Sequence, residues 1–346
     1  MQKTVLVTGS AGLVGSECVR HFAARGWACV GTDSNSRKEW FGRDGDTRPN
    51  LKALSKEVPG YRHHGLDVRD RAGMAKIVQR TRPALVVHAA AQPSHDLAAS
   101  RPFDDFDTNA TGTLNLLEAC RRHAPEAAFA FLSTNKVYGD NPNRIECAER
   151  KTRWEPKGEE WAGGIGESMS VDACTHSIFG CGKLAADAMV QEYGRYFGMP
   201  TAAFRCGCLT GGAHAGAAAH GFLAYLARCL REGRAYQVIG YRGKQVRDNL
   251  HAADVALAVE AFAAAPTKGE AYNLGGGKEN ALSVLEAIFA MEEATGKKLQ
   301  RSSVAEPRKG DHRWYVSDTS KFRRDYPAWT ATRPIESIIG ELCKAS

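Results

Sequence analysis

The 346-residue chain has no apolar run near the roughly 20 residues that a membrane-spanning helix needs, so a helical membrane protein is excluded. It has no CxxC pair and no Cys/His spacing typical of zinc. Its ten cysteines, at 18, 29, 120, 147, 174, 181, 206, 208, 229 and 343, fall mostly inside apolar segments. Scattered in this way they read as free thiols of a reducing compartment rather than a disulfide framework. The nearest approach to a cluster is Cys206-x-Cys208 followed by His214 and His220, which matches no ligand pattern, so no metal is expected. The net charge of +7 is spread without a basic block or interleaved aromatics, so nucleic acid is not an expected partner. The same charges suit a phosphate-bearing ligand. No repeat and no low-complexity tail is present. The start, MQKTVLVTGSAGLVG, is basic and then apolar like an export signal, but its glycines read better as a strand and turn, and a soluble, cytoplasmic protein is expected.

What is present is an ordinary globular composition, 43% hydrophobic and 25% charged, arranged as alternating β-rich and helix-period segments. The β-rich runs are TVLVTG (4–9), WACVGTD (27–33), YRHHGLD (61–67), ALVVHAAA (84–91), AAFAFLST (127–134) and TAAFRC (201–206). Such alternation predicts an α/β fold, a Rossmann-type doubly wound parallel sheet with helices on both faces. Helices are predicted over about 13–25, where Val14, Cys18 and Phe22 share a face, and about 180–197, striped by Leu184, Met189, Val190 and Tyr193. After 206 the pattern loosens, with one further helix over about 221–232. This divides the chain into a dinucleotide domain, 1–206, and a smaller substrate-binding lobe, 207–346, from which some chain returns to the sheet. The polar stretches 38–60 and 140–170 are predicted to be loops bordering the site.

The first strand runs into Gly9-Ser-Ala-Gly12-Leu-Val-Gly15, which opens a helix. Glycines there permit a tight turn and let backbone N–H groups and a helix N-terminus meet a pyrophosphate closely. Asp33 ends the next β-run, where a carboxylate accepts hydrogen bonds from ribose hydroxyls and repels a 2′-phosphate. NAD is therefore expected rather than NADP, with Arg37 nearby as the contrary signal.

To this turn the chain adds Leu66-Asp67-Val68, His88-Ala-Ala-Ala91, Asn109 with Gly112-Thr113, and Ser133-Thr134-Asn135-Lys136-Val137-Tyr138-Gly139. Together these resemble the extended short-chain dehydrogenase/reductase family, the nucleotide-sugar epimerases and dehydratases. The resemblance covers nearly the whole chain, and "STNKVYGD" and "GKQVRD" are most similar to a 2-epimerase branch. It implies a cofactor site made by Gly9, Ala11, Gly12, Leu13, Val14, Gly15, Asp33, Asn35, Ser36, Arg37, Asp67, Val68, Ala89, Ala90, Ala91, Lys183 and Cys206. It implies substrate contacts from Gln92, Ser94, Thr134, Asn135, Arg247 and Arg308, the two arginines gripping the diphosphate of a nucleotide sugar. It further implies a homodimer formed through helices near 109–123 and 180–197.

Two departures from the family pattern bear on the chemistry. Dehydratases carry Asp-Glu after the catalytic threonine, whereas Asn135-Lys136 follow Thr134 here, which favours epimerisation over elimination of water; Lys136 then either stabilises or protonates an enolate or is an exposed lysine beside the loop. In the family's Y-x-x-x-K element the tyrosine accepts the sugar hydroxyl's proton, yet here Phe179 stands four residues before Lys183. Four readings remain open. A substitute base acts, drawn from Lys183, Cys174, His176, Glu167 or Cys206; or the reaction is a neighbouring one of dehydratase type that needs no phenol; or the chain binds NAD and sugar nucleotide without turnover; or the Phe was engineered to trap a substrate. Ile178 and Gly182 also depart from the family wording, which a single trapping substitution would leave alone. The catalytic set is accordingly Thr134, Asn135, Lys136, Phe179 and Lys183, on an enzyme of NAD-dependent epimerase type.

Overall fold

A computed structural model describes residues 2–214 and 221–344. The β-branched and aromatic runs form strands β1 (Thr4–Thr8), β2 (Ala28–Thr32), β3 (Arg62–His64), β4 (Leu85–His88), β5 (Ala128–Thr134) and β6 (Thr201–Cys206). A seventh strand comes from far downstream. After β7 (Cys208–Thr210) and β8 (Val246–His251), the chain returns as β9 (Glu270–Leu274) and pairs with β6, so the sheet order is β9-β6-β5-β4-β1-β2-β3, every pairing parallel.

Alternation along each strand divides the core in two. Val5, Val7, Leu85 and Val87 face α1 (Leu13–Ala24) and a later helix that carries Val255, Val259 and Phe262. Leu6, Val86, Phe129 and Phe131 face α2 (Arg71–Thr81), α3 (Gly112–His123) and α4 (Ile178–Phe197), which contribute Met74, Leu116, Cys120, Ala186 and Val190. That later helix is α5 (Ala252–Ala264). The strand order reverses between β4 and β1, and a doubly wound sheet opens its ligand crevice there, at the carboxyl ends. Beyond the sheet, Leu226 and Leu230 of Phe222–Glu232 pack on Ile288 and Met291 and on Ile338 and Leu342, forming a separate small core. Strand β8 runs between β7 and Ala281–Ser283, also meets Trp314–Tyr315, and carries Arg247 to the crevice.

Two expectations need correction. The stretch 38–60 is largely helical, with helices Ser36–Phe41 and Arg48–Glu57 joined by the 3-10 turn Gly42–Gly45. In RPNLKALSKE only Leu54 is buried, so no apolar stripe advertises the helix. The run 61–67 supplies only three strand residues, because β3 is an edge strand paired with β2 alone. The stretch 140–170 holds only 3-10 turns and the short pair Cys147–Glu149 and Trp154–Pro156.

Candidate functional site

The crevice is a cavity of about 710 Å3 that runs from the β1 turn across the sheet's carboxyl edge to the outer lobe. At one end lies the glycine turn. Gly9 has φ +65°, and a Cβ there would come within 2.8–2.9 Å of the backbone of Ala89 and Ala90. A Cβ on Gly15 would overlap the Gly9 carbonyl, so the loop can close only without side chains at both positions. The Gly12 amide donates to the Gly9 carbonyl at 2.9 Å, and α1 starts at the next residue. The result is a bare backbone cradle at a helix N-terminus, the arrangement a pyrophosphate requires.

Asp33 follows β2 and braces the cradle, accepting from the Ala11 amide at 3.1 Å and the Asn35 amide at 2.8 Å. A carboxylate has about four acceptor positions, so capacity for ribose hydroxyls remains. Asp67 is held by Arg69 at 2.9 Å and by the Ser36 hydroxyl at 3.3 Å, on the same wall as Val68 and Arg37. The β4 turn is pinned by His88, whose two ring nitrogens meet Thr8 Oγ1 at 2.7 Å and Thr113 Oγ1 at 2.9 Å, and this sets Ala89, Ala90 and Ala91 along the cavity. These residues fit an adenine dinucleotide: a cradle for its phosphates, an acid for its ribose and apolar walls between. Bound there, NAD supplies a reversible hydride acceptor.

Lys183 rises from the first turns of α4, buried, with Nζ donating to the Leu132 carbonyl at 2.7 Å and lying 4.1 Å from the Phe131 ring centroid. Burial pushes its ammonium down to about 8. Thr134 ends β5, and Asn135 and Lys136 continue the wall in a 3-10 turn. Lys136 Nζ donates to the Gly310 carbonyl at 3.0 Å, 3.7 Å from Asp311 Oδ1. Burial and the neighbouring Arg247, opposed by Asp311, push it down to about 8. Asp311 also takes the Arg247 guanidinium directly. Burial works against its ionisation, but Arg247 and Lys136 outweigh that and hold the carboxyl well below its ordinary range. Arg308 stands on the same rim, its Nε 3.3 Å from Asp96.

Thus Thr134, Asn135, Lys136, Phe179, Lys183, Cys206, Arg247 and Arg308 line one cavity together with the cofactor residues Gly9, Ala11, Gly12, Leu13, Val14, Gly15, Asp33, Ser36, Arg37, Asp67, Val68 and Ala89 to Ala91. Three expected site residues stand behind the wall. Asn35, with φ +56°, turns its side chain to Asp46 and Thr47. Gln92 and Ser94 are fully buried: Gln92 donates to Asp105 at 2.7 Å, its backbone is clamped by Asn109, and Ser94 caps the helix His95–Ser100. Their polar groups are consumed in holding the Pro93–His95 turn, so direct substrate contact from either is corrected to a supporting position.

Among the suggested substitute bases, Cys174, His176 and Glu167 lie outside the cavity wall. His176 Nε2 is 2.8 Å from the Val137 carbonyl, and Glu167 accepts from the Asn273 amide at 2.6 Å. Cys206 lines the cavity, but burial pushes its thiol up to about 12. Sequence reasoning missed His95 and Asp311, both on the wall. Of the imagined metal group, Cys206, Cys208 and His214 line the cavity and His220 lies outside the described residues; among the described residues no three His, Cys, Asp or Glu side chains are grouped to hold a metal. No described helix is long and apolar enough to cross a membrane.

Sheet order, glycine cradle and the acid after β2 define a Rossmann-type dinucleotide-binding protein of the extended short-chain dehydrogenase/reductase class. Residues 5–275 match the NAD dependent epimerase/dehydratase family, and the chain belongs to it. Its relatives include CDP-paratose 2-epimerase of Salmonella typhi, 32% identical over 92% of this chain and 91% of that protein. They also include dTDP-glucose 4,6-dehydratase of Neisseria meningitidis serogroup B, 27% identical over 97% of this chain and 90% of that one. Among solved structures, UDP-glucose 4-epimerase of Thermus thermophilus in complex with NAD superposes with a TM-score of 0.76 at 26% identity, over 99% of this chain and 98% of the other. The protein is accordingly an enzyme of the nucleotide-sugar epimerase and dehydratase group, with NAD as its cofactor.

Proposed function

We propose that the chain is a nucleotide-diphosphate-sugar epimerase with tightly held NAD, of the 2-epimerase kind named among its relatives, working by transient oxidation of a sugar carbon so that no NADH accumulates. The observation that carries this reading is the pair after Thr134. Asn135 and Lys136 occupy the wall where a dehydratase places an acid and a base, and Lys136 is tied to the Gly310 carbonyl beside Arg247 and Asp311. Arg247 and Arg308 face the diphosphate, and Thr134 meets the reacting hydroxyl. A second reading, a silent binder of NAD and nucleotide sugar, draws on Phe179, which has no proton to exchange.

Incubation of the purified protein with CDP-, UDP- and GDP-sugars in deuterated water separates the two. A new epimer or carbon-bound deuterium supports turnover; saturable binding with every sugar recovered unchanged overturns it.

The protein is proposed to act in the cytoplasm as a homodimer. Phe103 and Phe106 of Pro102–Phe106 and Ile178, Tyr196 and Phe197 of α4 are exposed large apolar side chains, with Phe103 84% and Tyr196 75% exposed. Paired α4 faces from two copies would cover them. Light scattering should report twice 37.5 kDa, and the double variant F103S/Y196S should fall to the single mass; a wild-type chain of single mass would refute the dimer.

A further inference from the structure

A site that moves a hydroxyl proton needs an acceptor facing the cavity, and the phenol position offers none. Phe179 instead packs against His95, ring centroids 5.0 Å apart at an interplanar angle of 63°. His95 lines the cavity, and its Nδ1 is 2.7 Å from Ser177 Oγ. Ser177 is the N-cap of α4 and accepts from the Gly180 amide at 3.1 Å, so its oxygen is fixed by the same helix that presents Phe179 and Lys183. Gly310 closes over the pair: a Cβ there would lie 3.4 Å from Ser177 Cβ and 3.5 Å from His95 Nδ1. The loop that holds Lys136 and carries Asp311 therefore packs on this histidine.

His88, fully buried, spends both ring nitrogens, on Thr8 and Thr113. His95 spends Nδ1 alone, and Nε2 has no hydrogen-bond partner among the described residues. The lysines are committed otherwise, Lys183 to the Leu132 carbonyl and Lys136 to the Gly310 carbonyl.

We infer that His95, seated by Ser177, replaces the missing phenol as the group that accepts the sugar hydroxyl's proton. This deepens the epimerase reading and rests on it. With Nδ1–H donated to Ser177, Nε2 carries the lone pair. As the sugar O–H bond breaks and the C=O bond forms, the proton passes to Nε2; NAD, held by the glycine cradle, Asp33 and Lys183, would supply the acceptor for the carbon's hydride. Return of both to the ketone, the hydride on its other face, restores a neutral imidazole and an inverted carbon.

The charges around the ring tune this step. Burial, then Lys136, Arg308 and Arg247, push His95 down to about 3, with Asp311 opposing them. The positive N-terminal end of α4 acts in the same sense as the cations. The free ring is therefore neutral, ready to accept. A diphosphate seated on Arg247 and Arg308 cancels part of that positive field and makes Nε2 a stronger base only when substrate is present.

The test uses the full chain with NAD bound. In wild-type protein labelled with 15N-histidine, His95 should be neutral at pH 6 with the proton on Nδ1, and S177A should shift the proton toward Nε2; a charged His95 at pH 6 overturns the inference. With CDP-, UDP- and GDP-sugars as probes, H95Q should lose on the order of a hundred- to ten-thousand-fold in turnover, while CDP affinity measured by calorimetry changes little. F179Y added to H95Q restores a phenol at the family's position and should recover at least about tenfold of that loss. Were His95 merely structural, F179Y would raise turnover by the same factor in H95Q as in wild type, whereas replacement of one base by another gives the larger gain in H95Q. H95Q within a few-fold of an active wild type, or no gain from F179Y, overturns the inference and leaves the epimerase reading standing. A wild type inert toward all the probes overturns both.

Discussion

Asp311 holds two cations at the rim, Arg247 and Lys136, and its replacement by Asn separates the stability of the empty site from its affinity for phosphate. Removing one partner from a buried ion pair costs about 3–5 kcal/mol, because the remaining charge stays buried unpaired. Asp311 keeps 24% of its side chain exposed to the cavity, so the low end, about 3 kcal/mol, applies. With a melting entropy of about 2.1 cal/mol/K per residue, a chain of this length should lose roughly 4 °C from its Tm. The sign with pH follows from the carboxyl's depression. The contribution is complete above the unfolded value of 3.8 and is lost as pH falls below it toward the folded value, so wild type and D311N should converge in acid. In the proposed substrate mode, the same carboxylate competes with a diphosphate for Arg247. At about 6 Å and an effective dielectric near 20, its repulsion of a phosphate charge is about 3 kcal/mol. Looser positioning of Arg247 offsets part of this, leaving CDP bound about tenfold more tightly by D311N, or about 1.4 kcal/mol. Differential scanning fluorimetry across pH and calorimetric titration with CDP read both quantities. A variant as stable as wild type at pH 7, or one that binds CDP more weakly, would refute this account of the rim.

Three further outcomes are expected. G15A forces a Cβ into the Gly9 carbonyl, so the purified variant should release almost no NAD on denaturation, whereas wild type releases a stoichiometric amount. D33S removes the brace on the Ala11 amide and the carboxylate proposed to accept the ribose hydroxyls, and should weaken NAD about tenfold while improving NADP, as equilibrium dialysis would show. Asp105 is fully buried, and burial pushes its carboxyl from 3.8 up to about 6 despite hydrogen bonds from Gln92 and Asn109. A raised acid favours the fold only while protonated, so wild-type stability should fall by on the order of 2 kcal/mol as pH rises from 4 to 6. D105N should show no such slope, and equal slopes in the two proteins would sink this assignment.

The sheet was legible because its first six strands are short β-rich runs in regular alternation, and the glycine turn with Asp33 marked its ligand edge. A return of chain to the sheet was expected, but strand β9 itself went unnamed because AYNL follows a helix that reads like any other apolar segment, and nothing local pairs it with Thr201–Cys206. The helix Arg48–Glu57 escaped because one buried leucine makes no stripe. At the site, the motif residues that line the wall were nameable from the glycine turn and from the family resemblance their motifs carry. Gln92 and Ser94 were misplaced because Gln92 is bonded to Asp105 and Asn109 of the following helices while Ser94 caps the helix His95–Ser100 through the Leu97 amide, and hydrogen bonding across such turns leaves no periodic signature. His95 went unread for the same kind of reason: its significance lies in Ser177, 82 positions away, and only the fold brings the two into contact.

The late return of the chain to the sheet has a consequence for anyone exchanging lobes between relatives. Because β9 lies against β6 while β8, upstream of it, carries Arg247 into the outer lobe, one splice near residue 206 would carry away part of the dinucleotide sheet and bare the β6 edge. A working chimaera therefore requires two junctions, with Ala252–Leu274 kept from the parent that supplies the sheet.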